Sequence, residues 1–349
     1  MKILVVKRDK IGDLLLTTPL LAHLREVLPN ARIDVLANDY NAWVVHGNTA
    51  IDSVWVYRRS RHAGRLRWSA ILEQLRLQAA LRRVGYDVAI AANGEPSLRA
   101  IKRALATRAA RTIAYVSTPS AFGSRLTDAL MPEEHDHEIE RLLGLCRPLR
   151  LALPVAAPMP QFTVPEALSA RGRKWLDDSE FTAGRYVVIG VGARYAETQP
   201  QVAQVLRWAD WAKRILNFDT AIHYTPGRSI NPEYPGSEAH ASQLRDSGRS
   251  YIRLMPPDIR SAVAIVALAG GSVLPDGGLM HFAAISRGGV VGLFAEALTR
   301  SSPQRWGPRG HRVAVVNAKR AIADLDDAEV LGPLRRLQEC RSTPQILSR

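Results

Sequence analysis

Both halves of this chain contain a short apolar run that breaks into a polar glycine loop and then into a helix-spaced stretch. Residues 2–6 read Lys-Ile-Leu-Val-Val, the β-branched and apolar composition of a strand buried in a parallel sheet. A polar loop ends in Gly12, and Leu14, Leu15, Leu16, Leu20, Leu21, Leu24 and Leu28 recur at helical spacing up to Pro29 and Asn30. One continuous helix is expected from residue 13, and the next strand over residues 33–37. A strand, loop, helix and strand within 40 residues open a doubly wound α/β domain.

Strands are expected at residues 54–57, 88–92 and 113–116. A helix is expected over 68–84, with Ile71, Leu72, Leu75 and Leu81 on one face. Prolines 148, 154, 158, 160 and 165 then give linker composition, which places a boundary near residue 160. The pattern restarts after it. Strands are expected at 186–191, 220–224, 272–274, 289–294 and 313–316, and helices at 202–216, at 259–269 and from 280. The reading is α/β: two Rossmann-like doubly wound lobes, 1–160 and 161–325, facing a cleft, with a helical tail over 326–349. Ligands of such sheets sit at the carboxyl ends of the strands, so loops 7–13, 190–198 and 274–281 should face the cleft.

Composition narrows the function classes. A hydrophobic fraction of 46% with 23% charged residues excludes a disordered chain. Two cysteines, Cys146 and Cys340, exclude a disulfide framework or a Cys-rich zinc site and fit a reduced, cytoplasmic compartment. The first apolar run is too short for a signal sequence, and no run is long enough to span a bilayer. The net charge is +14, and 40 arginines stand against 7 lysines. GC-rich codon usage is one reading, an anionic partner the other. Residues 58–83 hold Arg58, Arg59, Arg61, Arg65, Arg67, Arg76, Arg82 and Arg83 against one acid, Glu73. That stretch is either a solvated face or a dock for an acidic acceptor or a membrane surface. Nucleic acid is not expected, because only Tyr57 and Trp68 interleave the arginines.

Three loops carry candidate chemistry. Asp13 follows Gly12 at a strand-to-helix turn, as a first-turn cap or as a general base. Asp276, Gly277 and Gly278 follow a strand and open a helix whose free N–H groups suit a phosphate, with His281 one turn in. The plain alternative is a helix cap with a buried histidine. Gly190 and Gly192 would begin a dinucleotide fingerprint, but Tyr195 stands where its third glycine belongs, which excludes a nicotinamide oxidoreductase. Arg194 remains a phosphate contact. Residues 133–138 read as a polar loop, no metal is expected, and no G-x-S-x-G supports a serine hydrolase.

Residues 1–19, Met-Lys-Ile-Leu-Val-Val-Lys-Arg-Asp-Lys-Ile-Gly-Asp-Leu-Leu-Leu-Thr-Thr-Pro, with Ala31-Arg-Ile-Asp-Val-Leu-Ala37, resemble the opening of the lipopolysaccharide heptosyltransferases, glycosyltransferase family 9. Asp276-Gly-Gly-Leu-Met-His-Phe-Ala-Ala284 is similar to the family's D-T-G-x-x-H-x-A-A signature, and Trp306-Gly-Pro308 follows in family order. The resemblance implies a GT-B fold with an acceptor lobe before a nucleotide-sugar lobe. It implies an inverting, metal-independent transfer with no cofactor and ADP-heptose as the donor. The acceptor would be an anionic lipopolysaccharide-core glycolipid or saccharide, reached in the cytoplasm, with peripheral contact at the inner membrane.

The family's catalytic aspartate falls on Asp13. Its donor-binding set falls on Lys10, Gly12, Gly192, Arg194, Glu238, Met255, Asp276, Gly277, Gly278 and His281. Arg58, Arg59, Arg61 and Arg65 would dock the acceptor. The sequence departs from the pattern at Gly277, where the family has threonine, and at Glu197, near an expected lysine. Those departures leave two alternatives, another nucleotide sugar or a binding protein without turnover.

Overall fold

The computed structural model describes every residue except 59, 60, 63, 64, 67, 119–121, 134, 135, 228–235, 297–301 and 343–349. For residues 61, 62, 65, 66, 68–71 and 340–342 it describes the backbone alone. The chain divides into two compact units, Met1–Thr163 and Val164–Arg349.

The first unit is built on a parallel sheet of β1 (Lys2–Val6), β2 (Arg32–Asn38), β3 (Ser53–Tyr57), β6 (Val88–Ala91), β7 (Arg111–Tyr115) and β8 (Asp128–Leu130). A two-stranded ribbon, β4 (Arg61–His62) and β5 (Arg65–Leu66), precedes the long helix α3 (Trp68–Val84). The sheet order is β3-β2-β1-β6-β7-β8, and every pair runs parallel. Leu4, Val6, Leu36, Ala89 and Ala91 form one face of its core with Leu81, Ala100, Ile101 and Leu126. Strand order reverses beside β1, so its carboxyl end is the switch point where such sheets bind ligands.

The expected first helix is two helices, α1 (Ile11–Leu15) and α2 (Thr18–Val27). Pro19 causes the break. It has no N–H for the carbonyl of Leu15, and the Thr18 hydroxyl donates to that carbonyl instead, at 2.7 Å. The Thr17 hydroxyl donates to the carbonyl of Asp13 at 2.8 Å.

Two further helices, α4 (Leu98–Ala106) and α5 (Glu138–Gly144), complete the first unit. In α3 the expected apolar face is wrong. Leu81 is buried, with Leu77 and Val84 packed on the same core, whereas Leu72 and Leu75 are exposed. Positions 77, 81 and 84 are the true i, i+4, i+7 stripe, and at 3.6 residues per turn Leu72 lies across the helix from them.

The second unit repeats the plan with β9 (Tyr186–Gly190), β10 (Asp219–His223), β11 (Ile252–Leu254), β12 (Gly271–Pro275), β13 (Val290–Ala295) and β14 (Val313–Ala318). Its order is β11-β10-β9-β12-β13-β14, again wholly parallel. The helices are α6 (Glu166–Ser179), α7 (Val202–Trp211), α8 (Glu238–Arg245), α9 (Ile259–Leu268), α10 (Gly278–Ala284), α11 (Pro303–Trp306) and α12 (Asp327–Ser342). The expected 202–216 helix changes to a π-turn over Ala212–Leu216. The tail helix α12 closes one face of the second core through Val330, Leu334 and Leu337. Strand order reverses here beside β9, so the loops after β9 and β12 occupy the switch point.

Candidate active site

Asp13 is the third residue of α1, directly beyond the carboxyl end of β1. Its Oδ2 accepts the Lys10 backbone N–H at 3.1 Å, which is the cap role. Its surroundings go further than a cap requires. Burial pushes its carboxyl up to about 6, opposed chiefly by the positive charge of Lys7 and assisted by the negative charges of Asp9 and Glu138.

Asp34 shows what a structural acid looks like in the same sheet. It is fully buried on β2, and its Oδ2 receives the Tyr86 hydroxyl at 2.5 Å, the Trp55 indole at 3.0 Å and the Arg32 guanidinium at 3.1 Å. Desolvation and this bond to Asp34 push the Tyr86 hydroxyl far up, so it remains a donor. Asp13, by contrast, has no hydrogen bond on Oδ1 among the described residues.

Lys7 supplies the cation. It is fully buried, and its Nζ stands 3.7 Å from Asp9 Oδ2 and 3.8 Å from Glu138 Oε1. Glu138, the first residue of α5, accepts the Gly94 N–H at 3.0 Å. Arg141, one turn along α5, donates to the Gly94 carbonyl at 3.2 Å. Asn93 donates its side-chain amide to Asp9. The loops after β1 and β6 and the start of α5 are thereby joined into one polar network around Asp13.

Reading residues 133–138 as a plain polar loop therefore fails at its end, for Glu138 opens a helix and belongs to this network. The signal was present in His137 before the helix and in Ile139, Leu142 and Leu143 at helical spacing. Lys7, Asp9, Asn93 and Arg141 were also missed. Gly12 is buried inside α1 and Lys10 caps it.

In the second unit, β12 ends at Pro275 and α10 begins at Gly278. The Asp276 N–H still bonds the Leu293 carbonyl at 3.0 Å, which carries the strand pairing to the edge of the loop. The Met280 N–H bonds the Gly277 carbonyl at 3.1 Å, which leaves the Gly278 and Leu279 N–H groups of the first turn to take an anion. His281 is buried in α10, as the plain helix-cap alternative had it. Gly277 is extended, and a Cβ added there meets only the Pro275 carbonyl at 3.8 Å. The backbone thus accepts a side chain. Gly277→Thr is expected to leave the melting temperature essentially unchanged, as measured by thermal denaturation.

Gly192 is required by packing. A Cβ there would lie 2.6 Å from the Thr225 backbone nitrogen, which cannot swing away. Gly192→Ala is expected to destabilise the protein by about 1–3 kcal/mol, readable as a lower melting temperature. Arg194 is exposed with its guanidinium over the Tyr195 ring, 5.5 Å from its centroid, and Glu197 is exposed nearby.

Glu238 opens α8 and accepts the Gly227 N–H, so it braces the turn leading into residues 228–235, which lie outside the described residues. Met255 is buried directly after β11. His223 ends β10, where burial pushes its imidazole down to about 4 and keeps it neutral.

Arg58 is exposed and pairs with Glu73 at 3.3 Å. Arg59 lies outside the described residues, as do the side chains of Arg61 and Arg65. Among the described residues no cluster of histidine, cysteine, aspartate or glutamate could hold a metal ion, and no helix is long and apolar enough to cross a membrane.

Two parallel six-stranded units, each with its loops at a switch point, define the GT-B class. Solved structures of that class match the whole chain. Escherichia coli ADP-heptose lipopolysaccharide heptosyltransferase II is 20% identical with a TM-score of 0.73, covering 98% of this chain and 100% of that one. The Escherichia coli heptosyltransferase WaaC, solved with ADP, is 18% identical with a TM-score of 0.72, covering 97% and 100%. The family model for glycosyltransferase family 9 (heptosyltransferase) matches residues 74–333, and the chain belongs to that family. Lipopolysaccharide heptosyltransferase 3 of Escherichia coli is 26% identical over 202 residues, 58% of this chain; the match spans only 55% of that relative's length.

Proposed function

We propose that this protein is an inverting, metal-independent glycosyltransferase that moves heptose from ADP-heptose to a hydroxyl of an anionic saccharide or glycolipid of the lipopolysaccharide-core type. The observation that carries the reading is Asp13, a desolvated carboxylate raised to about 6 at the switch point of the first sheet. A base with that value is ionised at neutral pH and still basic enough to take a proton.

In the transfer, Asp13 accepts the acceptor hydroxyl's proton as its oxygen attacks the anomeric carbon. The bond from that carbon to the diphosphate oxygen breaks, and its electron pair leaves with ADP. The first turn of α10, with Asp276, Gly277 and Gly278, would stabilise the charge growing on the diphosphate, and Arg194 would add a mobile cation. Lys10, Gly12, Gly192, Glu238, Met255 and His281 would hold or shape the donor site. Arg58, Arg59, Arg61 and Arg65 would hold the acceptor's anionic groups. The first unit would thus take the acceptor and the second most of the donor.

Family membership and the ADP complex of the similar WaaC structure support an adenosine diphosphate donor. Calorimetry with ADP and ADP-heptose, followed by mass spectrometry of products on a core oligosaccharide, tests the reading. Absence of binding by a folded sample would reject the donor. Gly277 and Glu197 favour a second reading, in which another nucleotide sugar is used, and a donor screen by mass spectrometry separates the two.

A further inference from the structure

Helix α3 carries two apolar faces, and the core accounts for one. Leu77, Leu81 and Val84 pack inward against the first sheet. Its flank toward α4 is occupied as well. Gln78 and Arg82 donate to the carbonyl of Ala106 at 3.0 and 2.8 Å, and Gln74 accepts from Arg103 at 3.3 Å. The other flank holds Glu73, paired with Arg58.

What remains is an outward stripe. Leu72 and Leu75 are 58% and 59% exposed, and Ala79 is exposed between Arg82 on one side and Arg76 and Arg83 on the other. With 3.6 residues per turn these six positions form one continuous strip about a third of the circumference wide, opposite the core stripe. The strip contains three arginines and no acid. Neither Arg76 nor Arg83 makes an ion pair with a described residue.

A leucine and alanine line flanked on both sides by arginines is the pattern of a helix lying in a bilayer interface. The apolar line enters the acyl boundary, while the long arginine stems reach back to lipid phosphates. The face is convex and has no groove, so a flat and deformable partner fits it better than a folded one. Its uncompensated positive charge selects an anionic surface.

We infer that the outward face of α3 docks the protein on the surface of an anionic phospholipid bilayer through Leu72, Leu75 and Ala79, with Arg76 and Arg83 engaging the phosphates. This contact involves neither Asp13 nor the donor loops, so it stands or falls separately from the proposed transfer.

Flotation of the full chain with vesicles of phosphatidylglycerol and phosphatidylcholine, against vesicles of phosphatidylcholine alone, tests it. Binding is expected to the anionic vesicles only, and to weaken as salt is raised. Leu72→Ser combined with Leu75→Ser should lower partitioning by roughly tenfold or more, since two leucines no longer leave water. Arg76→Gln combined with Arg83→Gln should lower it comparably and flatten the salt dependence. Both pairs are exposed, so the melting temperature and ADP titration should match the parent chain. The proposal is overturned if the parent chain ignores anionic vesicles or if both double variants bind like the parent. It is also overturned if sedimentation shows a dimer that the leucine variant dissolves, which would make the stripe a contact between copies.

Discussion

Asp13→Asn is expected to lower kcat by roughly 10²–10⁴-fold, the usual contribution of a positioned general base, while ADP affinity stays at the parent value. The same change should raise thermal stability. Asp13 titrates at about 6 in the folded protein against 3.8 when solvated. Between those values the folded chain holds more protons than the unfolded one, so stability falls as pH rises through the interval. At neutral pH the full cost of ionising this carboxylate in place is present, about 2 kcal/mol after allowance for its partial contact with solvent. An amide has no such cost and can still accept the Lys10 N–H. The variant should therefore melt higher than the parent above pH 6 and converge with it near pH 4. The parent's kcat/KM should fall on the acid side with a midpoint near 6. Near-normal turnover in the variant, with no gain in melting temperature, would remove Asp13 from the role of base.

Lys7→Met is expected to produce the largest loss of stability. Lys7 is the buried cation beside Asp9 and Glu138, and removing it takes away the counter-charge that stands beside both, leaving Arg8 at 3.7 Å from Asp9. Breaking such a buried pair costs about 3–5 kcal/mol. Low pH should lessen the loss, because protonated carboxylates no longer need the cation. Among the charges acting on Asp13, Lys7 does most to favour its ionised form. Its removal should move the acid limb of kcat/KM above 6 in whatever fraction of the protein remains folded. Denaturant melts across pH, paired with pH–rate profiles, separate the two effects. A destabilised enzyme with an unmoved acid limb would mean that Lys7 supports the fold without tuning Asp13.

The residues around Asp13 show how far the sequence could be read. The place of Asp13 in the first helix after β1 was legible because its setting is local: an apolar strand, a glycine and a helix start within a dozen residues. The same holds for Asp276 to Gly278. Both unit plans followed from short apolar runs alternating with helical spacing, and the Pro-rich stretch separates them. Glu138 was not legible as a site residue, because nothing within its own segment places it beside Lys7. That neighbourhood exists only because β6 lies next to β1, which brings Gly94 and the start of α5 to the end of the first strand.

Helix α3 shows the opposite failure. Its periodicity was visible, but two apolar stripes fit the same helix, and the choice of Leu72 and Leu75 as the core face was wrong. Local pattern cannot select between two stripes. Packing against the sheet selects Leu77, Leu81 and Val84, because those three reach the core when α3 lies along β3 and α4.

By itself, then, the sequence determined the two α/β units, their switch-point loops and the aspartate and glycines those loops carry, because strand, turn and cap chemistry act over a few residues. Only the tertiary structure decided which charges surround Asp13 and which face of α3 meets solvent. Burial and electrostatic coupling depend on groups more than a hundred residues apart in the chain, such as Lys7 and Glu138, and adjacency of that kind is set by strand order.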